Sequence, residues 1–154
     1  MNPAIPAARF TIYDNDVQGL GYGGGEGIPL QLLDQLSDVV VVHNTFANAL
    51  KKAVSLDGPA PMSRMVIAAN VLPNGTYGVQ GTSTGVGLPS IAKWLPDVLF
   101  TDNELIGASC KLYPATTLCP AALLVPAPNA GDGRAIGADV AKVNAAIAGA
   151  VVAP

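Results

Sequence analysis

Val39-Val40-Val41-Val42-His43-Asn44-Thr45-Phe46 occurs in four versions along the chain. It aligns without gaps with Phe10-Thr11-Ile12-Tyr13-Asp14-Asn15-Asp16-Val17, with Met65-Val66-Ile67-Ala68-Ala69-Asn70-Val71-Leu72 and with Val98-Leu99-Phe100-Thr101-Asp102-Asn103-Glu104-Leu105. Each copy has an apolar residue three positions before an Asn and another two after it. The four Asn lie 29, 26 and 33 residues apart. That spacing is too irregular for a coiled coil or a helical array, but natural for stacked coils whose turns vary in length. Side chains alternate along a strand, so Ile12, Val41, Ile67 and Phe100 share one face. The Asn then sits in a bend, and the chain re-enters a strand with Val17, Phe46, Leu72 and Leu105 inward. Stacked coils put Asn15, Asn44, Asn70 and Asn103 in one column, where each amide donates to one neighbouring coil and accepts from the other. The fold class this predicts is all-β: a right-handed parallel β-helix, a single-stranded solenoid of about four coils.

Working outward, Lys52 to Gly58 and Gly75 to Gly81 each read as a short strand stopped by Gly, the third face of a coil. Longer loops are expected at Gly19 to Gly27 and Thr82 to Pro96. The Gly-rich stretch Gly21 to Gly27 is not read as a phosphate cradle, because no Lys-Ser/Thr pair or strand-then-helix context accompanies it. Near the end, Asp139 caps a helix with Val140, Val143 and Ile147 on one face and Gly149 as its stop. A solenoid must cover its terminal coil, so this helix is expected to lie across the open end. At the front, Asn2 to Arg9 is short and broken by Pro3 and Pro6, which predicts an uncovered first coil and self-association through it. The whole chain, 1–154, is expected to form one domain, with repeat coils at about 10–109 and a Pro-rich segment and cap at 110–154.

Composition narrows the function. Eight basic against eleven acidic residues give a net charge of −3 with no basic cluster, which argues against nucleic acid as a partner. No stretch approaches the roughly 18 apolar residues that span a bilayer, so no membrane partner is expected. Two Cys and one His form no recognisable metal site, and no cofactor is expected. Cys110 and Cys119, nine apart in a Pro-rich segment, leave a local disulfide and two free thiols both open. The start of the chain carries no secretory signal.

Several stretches carry a family likeness: Val41 to Phe46, Asn74 to Gly81, Leu95 to Asn103, and the tail Asp132-Gly133-Arg134-Ala135-Ile136-Gly137-Ala138-Asp139 running into a helix. On these the chain resembles the C-terminal portion of bacterial right-handed parallel β-helix repeat proteins with a pectin-lyase-like fold. The tail is the most specific element, although Ala135 stands where such relatives carry an acidic residue. The resemblance implies an extracellular or cell-surface solenoid and carries over no activity.

Enzymes with that fold use Asp ligands for Ca²⁺ or paired carboxylates on one outer face, and hydrolysis needs two carboxylates within about 5–10 Å. The residues preceding the Asn column are Asp14, His43, Ala69 and Asp102. Stacking makes Asp14 and His43 neighbours but leaves Asp102 three coils from Asp14, roughly 14–15 Å, too far for a pair. The candidate catalytic group is Asp14, Asp16 and His43, weighed against solvated or turn-bonded residues. For binding, Arg64 could meet an acidic sugar, against a salt bridge to a neighbouring Asp. Trp94 and Tyr77, with Tyr22, could stack sugars, against packing of a long loop on the solenoid. The function expected is a non-catalytic scaffold or a segment binding polysaccharide or a partner. The alternative is part of a polysaccharide lyase or glycoside hydrolase.

Overall fold

The computed structural model describes residues 7–151. It is predominantly β, with the strands in three parallel sheets. The first sheet holds β1 (Ala8–Tyr13), β4 (Ser37–Val42), β7 (Ser63–Ala68) and β10 (Leu99–Thr101). The second holds β2 (Asp16–Val17), β5 (Thr45–Phe46), β8 (Val71–Pro73) and β11 (Glu104–Ile106). The third holds β3 (Leu30–Leu33), β6 (Val54–Asp57) and β9 (Val79–Gly81). The chain visits the sheets in the same order on each circuit, an arrangement compatible with a β-helix-like solenoid.

The register follows from the repeat. Ile12 pairs with Val41 and Val41 with Ile67, which in turn pairs with Phe100. Like side chains therefore stack at the strand spacing, and burial alternates along the longer strands of the first and third sheets, as in Val39 and Val41 inward, Val40 and Val42 outward. The core lies between the three sheets. It is filled by Val39, Val41, Met65, Ile67 and Phe100 from the first, Phe46, Leu72 and Leu105 from the second, and Leu32, Val54, Leu56 and Val79 from the third.

The bend between first and second sheets has one cause in every circuit. Asp14, His43, Ala69 and Asp102 have φ of 57°, 52°, 54° and 52°, the left-handed region, which swings the chain so that the following Asn points inward. Asn44, Asn70 and Asn103 are fully buried. Asn15 Nδ2 donates to Asn44 Oδ1 (2.8 Å), Asn44 Nδ2 to Asn70 Oδ1 (2.9 Å) and Asn70 Nδ2 to Asn103 Oδ1 (3.0 Å). The same three oxygens also accept the backbone N–H of the preceding Asn. A second left-handed column, Arg9, Asp38 and Arg64, falls in the gap between paired positions of β1, β4 and β7.

Two helices flank the sheets. The loop expected at Thr82 to Pro96 contains α1 (Leu88–Trp94), which packs on β9 and β6. Gly81 is needed there, since a Cβ would lie 2.1 Å from the Trp94 ring. The C-terminal helix α2 (Val140–Val151) begins after Asp139, whose Oδ1 accepts the Lys142 N–H, and runs through Gly149 without stopping.

This helix does not cover the last circuit, contrary to the sequence expectation. Val140 and Ile147 are exposed, and the helix starts where the Asp139 N–H donates to Asp14 of the first circuit. The last circuit is occupied instead by residues 110–120. Cys110 and Cys119 form a disulfide, Leu118 bridges to Glu104, and Tyr113 is buried with its hydroxyl accepting the Val79 N–H. Most of the expected uncovered front, Asn2 to Arg9, lies outside the described residues. No described helix is long and apolar enough to cross a membrane.

Candidate functional site

The column of left-handed residues leaves its side chains on the outside of the bend, and the segment 128–139 runs along them. Within this strap, Ala130 and Arg134 close a tight turn, with the Ala130 N–H donating to the Arg134 carbonyl (2.8 Å). The strap is tied to successive circuits. The Gly131 N–H donates to Asp102 Oδ2 (3.1 Å), the Gly137 N–H to the Ala69 carbonyl (2.8 Å) and the Ala138 N–H to Thr45 Oγ1 (2.9 Å). Gly137 is required, because its φ is 91° and a Cβ would lie 2.6 Å from Thr45 Oγ1.

His43 sits beneath this strap, only 3% exposed. Its Nε2 lies 2.8 Å from Asp132 Oδ2 and its Nδ1 lies 3.1 Å from the Ala135 carbonyl oxygen. Both partners are acceptors, so the ring makes both hydrogen bonds only when both nitrogens carry a proton. The Arg134 backbone N–H and the His43 ring hold the Asp132 carboxyl below the usual aspartate range. Arg134 stacks over the Tyr13 ring at 5.1 Å, donates to the Tyr13 hydroxyl and lies 3.3 Å from Asp14 Oδ2.

Between the strap and the outer face of the first sheet lies a cleft of about 400 Å³. Val42, Ala68, Ala69 and Leu99 form an apolar floor, and Tyr13, Thr101, Asp102, Asp132 and Arg134 form the rim. Tyr13 and Leu99 are open to solvent, 43% and 56% exposed. Asp102 Oδ2 accepts the Gly131 N–H, and no described basic group lies within ion-pair distance of this carboxylate.

The structure distributes the sequence candidates differently. Asp14 and His43 share one flank of the bend, but both are committed to the strap. Asp16 lies on β2 and accepts from Gln18 (2.6 Å), apart from the cleft. Arg64 pairs with Asp38, and this contact lowers the Asp38 carboxyl and raises the guanidinium. Its backbone N–H donates to Asp97 (3.0 Å). Trp94 is 5% exposed against Gly81, with Lys93 Nζ 4.6 Å from its ring centroid, so it offers no free stacking face. Tyr77 is exposed but does not line the cleft, so Trp94, Tyr77 and Tyr22 form no common platform there.

The cleft's own polar rim, Tyr13, Asp102, Asp132 and Arg134, was not singled out as a site from the sequence. The signal available was the tail motif Asp132–Asp139, whose distance in sequence from the repeat hides what it touches. Among described residues, no cluster of three or more His, Cys, Asp or Glu could hold a metal ion. No family model, curated protein or solved structure matches the chain.

Proposed function

We propose that the protein is a right-handed parallel β-helix acting as a non-catalytic, extracellular or cell-surface module that binds polysaccharide in the cleft between the first sheet and the strap. The observation that carries this reading is the cleft's make-up. A Tyr13 ring that is 43% exposed, with Arg134 over one face, and an apolar floor suit the C–H faces of a sugar, and the carboxylates at the rim suit its hydroxyls. The stack of matched parallel strands and the buried Asn column support the solenoid. The Cys110–Cys119 disulfide supports an oxidising compartment.

A second reading rests on one observation: Asp102 and Asp132 line the same cleft, as the carboxylates of a glycoside hydrolase do. The non-catalytic reading is preferred because Asp132 is held by His43 and the Arg134 N–H, and Asp14 by Arg134 and the Asp139 N–H. A glycan array run beside assays for uronate double bonds and new reducing ends separates the two. Retention of a glycan, lost in Tyr13→Ala, is the expected outcome. Turnover in either assay reverses the preference, and retention of no glycan sinks the binding reading.

Self-association belongs to the same proposal. Among described residues, β1, β2 and β3 of the first circuit each pair on one side only. Three open strand edges form a template for a second copy. Light scattering over a concentration series is expected to show a mass that rises with concentration, and a constant monomer mass argues against it.

A further inference from the structure

We propose that the cleft selects saccharides carrying a free amine, such as β-1,4-linked glucosamine oligomers, over acidic and N-acetylated ones. The inference rests on the saccharide-binding reading above and follows from which rim charges are already spent. Arg134 is engaged with Asp14 and with the Tyr13 ring and hydroxyl. Asp132 is engaged with His43 and with the Arg134 N–H. Asp102 differs, because one oxygen accepts a single backbone N–H, at 3.1 Å from Gly131, and no described cation pairs with it. The uncompensated charge facing the cleft is therefore negative.

A uronate entering the cleft meets Asp102 as a like charge, with the one guanidinium there already paired. An ammonium on the sugar ring supplies donors and charge to the open Asp102 oxygen while the ring lies on the apolar floor and Tyr13. An N-acetyl group carries no charge and forgoes that ion pair. Ala69, one circuit before Asp102 in the same left-handed column, and Leu99 leave the approach to Asp102 apolar.

The test is calorimetric titration of the whole chain with three probes of equal length: glucosamine, N-acetylglucosamine and galacturonate hexamers. Glucosamine hexamer is expected to bind roughly tenfold more tightly than the acetylated one. That ratio should shrink as salt is raised. In Asp102→Asn the ratio is expected to fall to about one. Asn accepts the same left-handed backbone and can keep the bond from the Gly131 N–H, so strap amide protection confirms that the variant is folded. Equal or tighter binding of the acetylated or acidic hexamer overturns the amine preference and leaves the saccharide reading standing. Binding of none of the three overturns both.

Discussion

Each circuit of the stack turns on two residues, one in the left-handed region and the Asn after it, which is buried at Asn44, Asn70 and Asn103. Asn70 donates from Nδ2 to the Val41 and Ala68 carbonyls and to Asn103, and its Oδ1 accepts from both nitrogens of Asn44. Asn70→Ala strips partners from several buried groups at once, and chemical denaturation is expected to show a loss of about 3 kcal/mol or more. Ala69 is the one member of its column whose side chain gains nothing from the left-handed backbone, φ 54°. Ala69→Gly is therefore expected to raise stability by roughly 0.5–1 kcal/mol, the relief of backbone strain exceeding the added freedom of the unfolded chain. A destabilised variant in the same denaturation measurement contradicts that account. At this scale the Asn column was legible from sequence, because four Asn in the same apolar frame have no better explanation than stacking. The φ of Ala69 was not, because Ala carries no mark of a left-handed position.

Among the elements, β11 contains the least expected burial. Glu104 begins that strand fully buried, with Oε1 accepting the Leu124 N–H (3.0 Å) and Oε2 without a partner. Burial raises its carboxyl above the ordinary glutamate range. The folded state then holds a proton that the unfolded chain releases, so stability falls as pH rises from the ordinary glutamate range through the folded pKa. Glu104→Gln removes that penalty, and thermal unfolding is expected to show a higher Tm at neutral pH than the parent, the gap closing toward pH 4. An unchanged or lower neutral Tm counts against a buried acid at this position. The long strands were legible because their apolar residues alternate. Helix α1 was not, because seven residues opening Leu88-Pro89 show less than two helical turns of pattern. Strand β3 likewise lacks the Asn frame that marked its neighbours.

Over the whole molecule, the strap joins the end of the chain to its beginning. Asp139 reaches Asp14 and Asp132 reaches His43 across more than half the sequence. The Asp132 carboxyl is depressed, so its contribution is fully present above the ordinary aspartate range and is lost as pH falls through the folded pKa. Amide protection at Gly131, Gly137 and Ala138, corrected for intrinsic exchange, is expected to drop on acidification below about pH 4. In Asp132→Asn the acid-dependent part of that drop is expected to disappear, with weaker protection already at neutral pH. Full protection retained by the parent in acid contradicts the latch. The sequence showed Asp14 and His43 as neighbours through the period of the repeat, but gave no period to place Asp132 or Arg134, which lie outside it.

By itself the sequence determined the strand repeat, the inward apolar columns and the Asn stack, because each depends on a local pattern recurring in the same frame. Only the tertiary structure decided where the tail goes. Non-local hydrogen bonds from Gly131, Gly137, Ala138 and Asp139 lay it along the bend rather than across the last circuit. The candidate cleft exists because of that placement, since its rim is drawn from both ends of the chain and no local pattern encodes such a meeting.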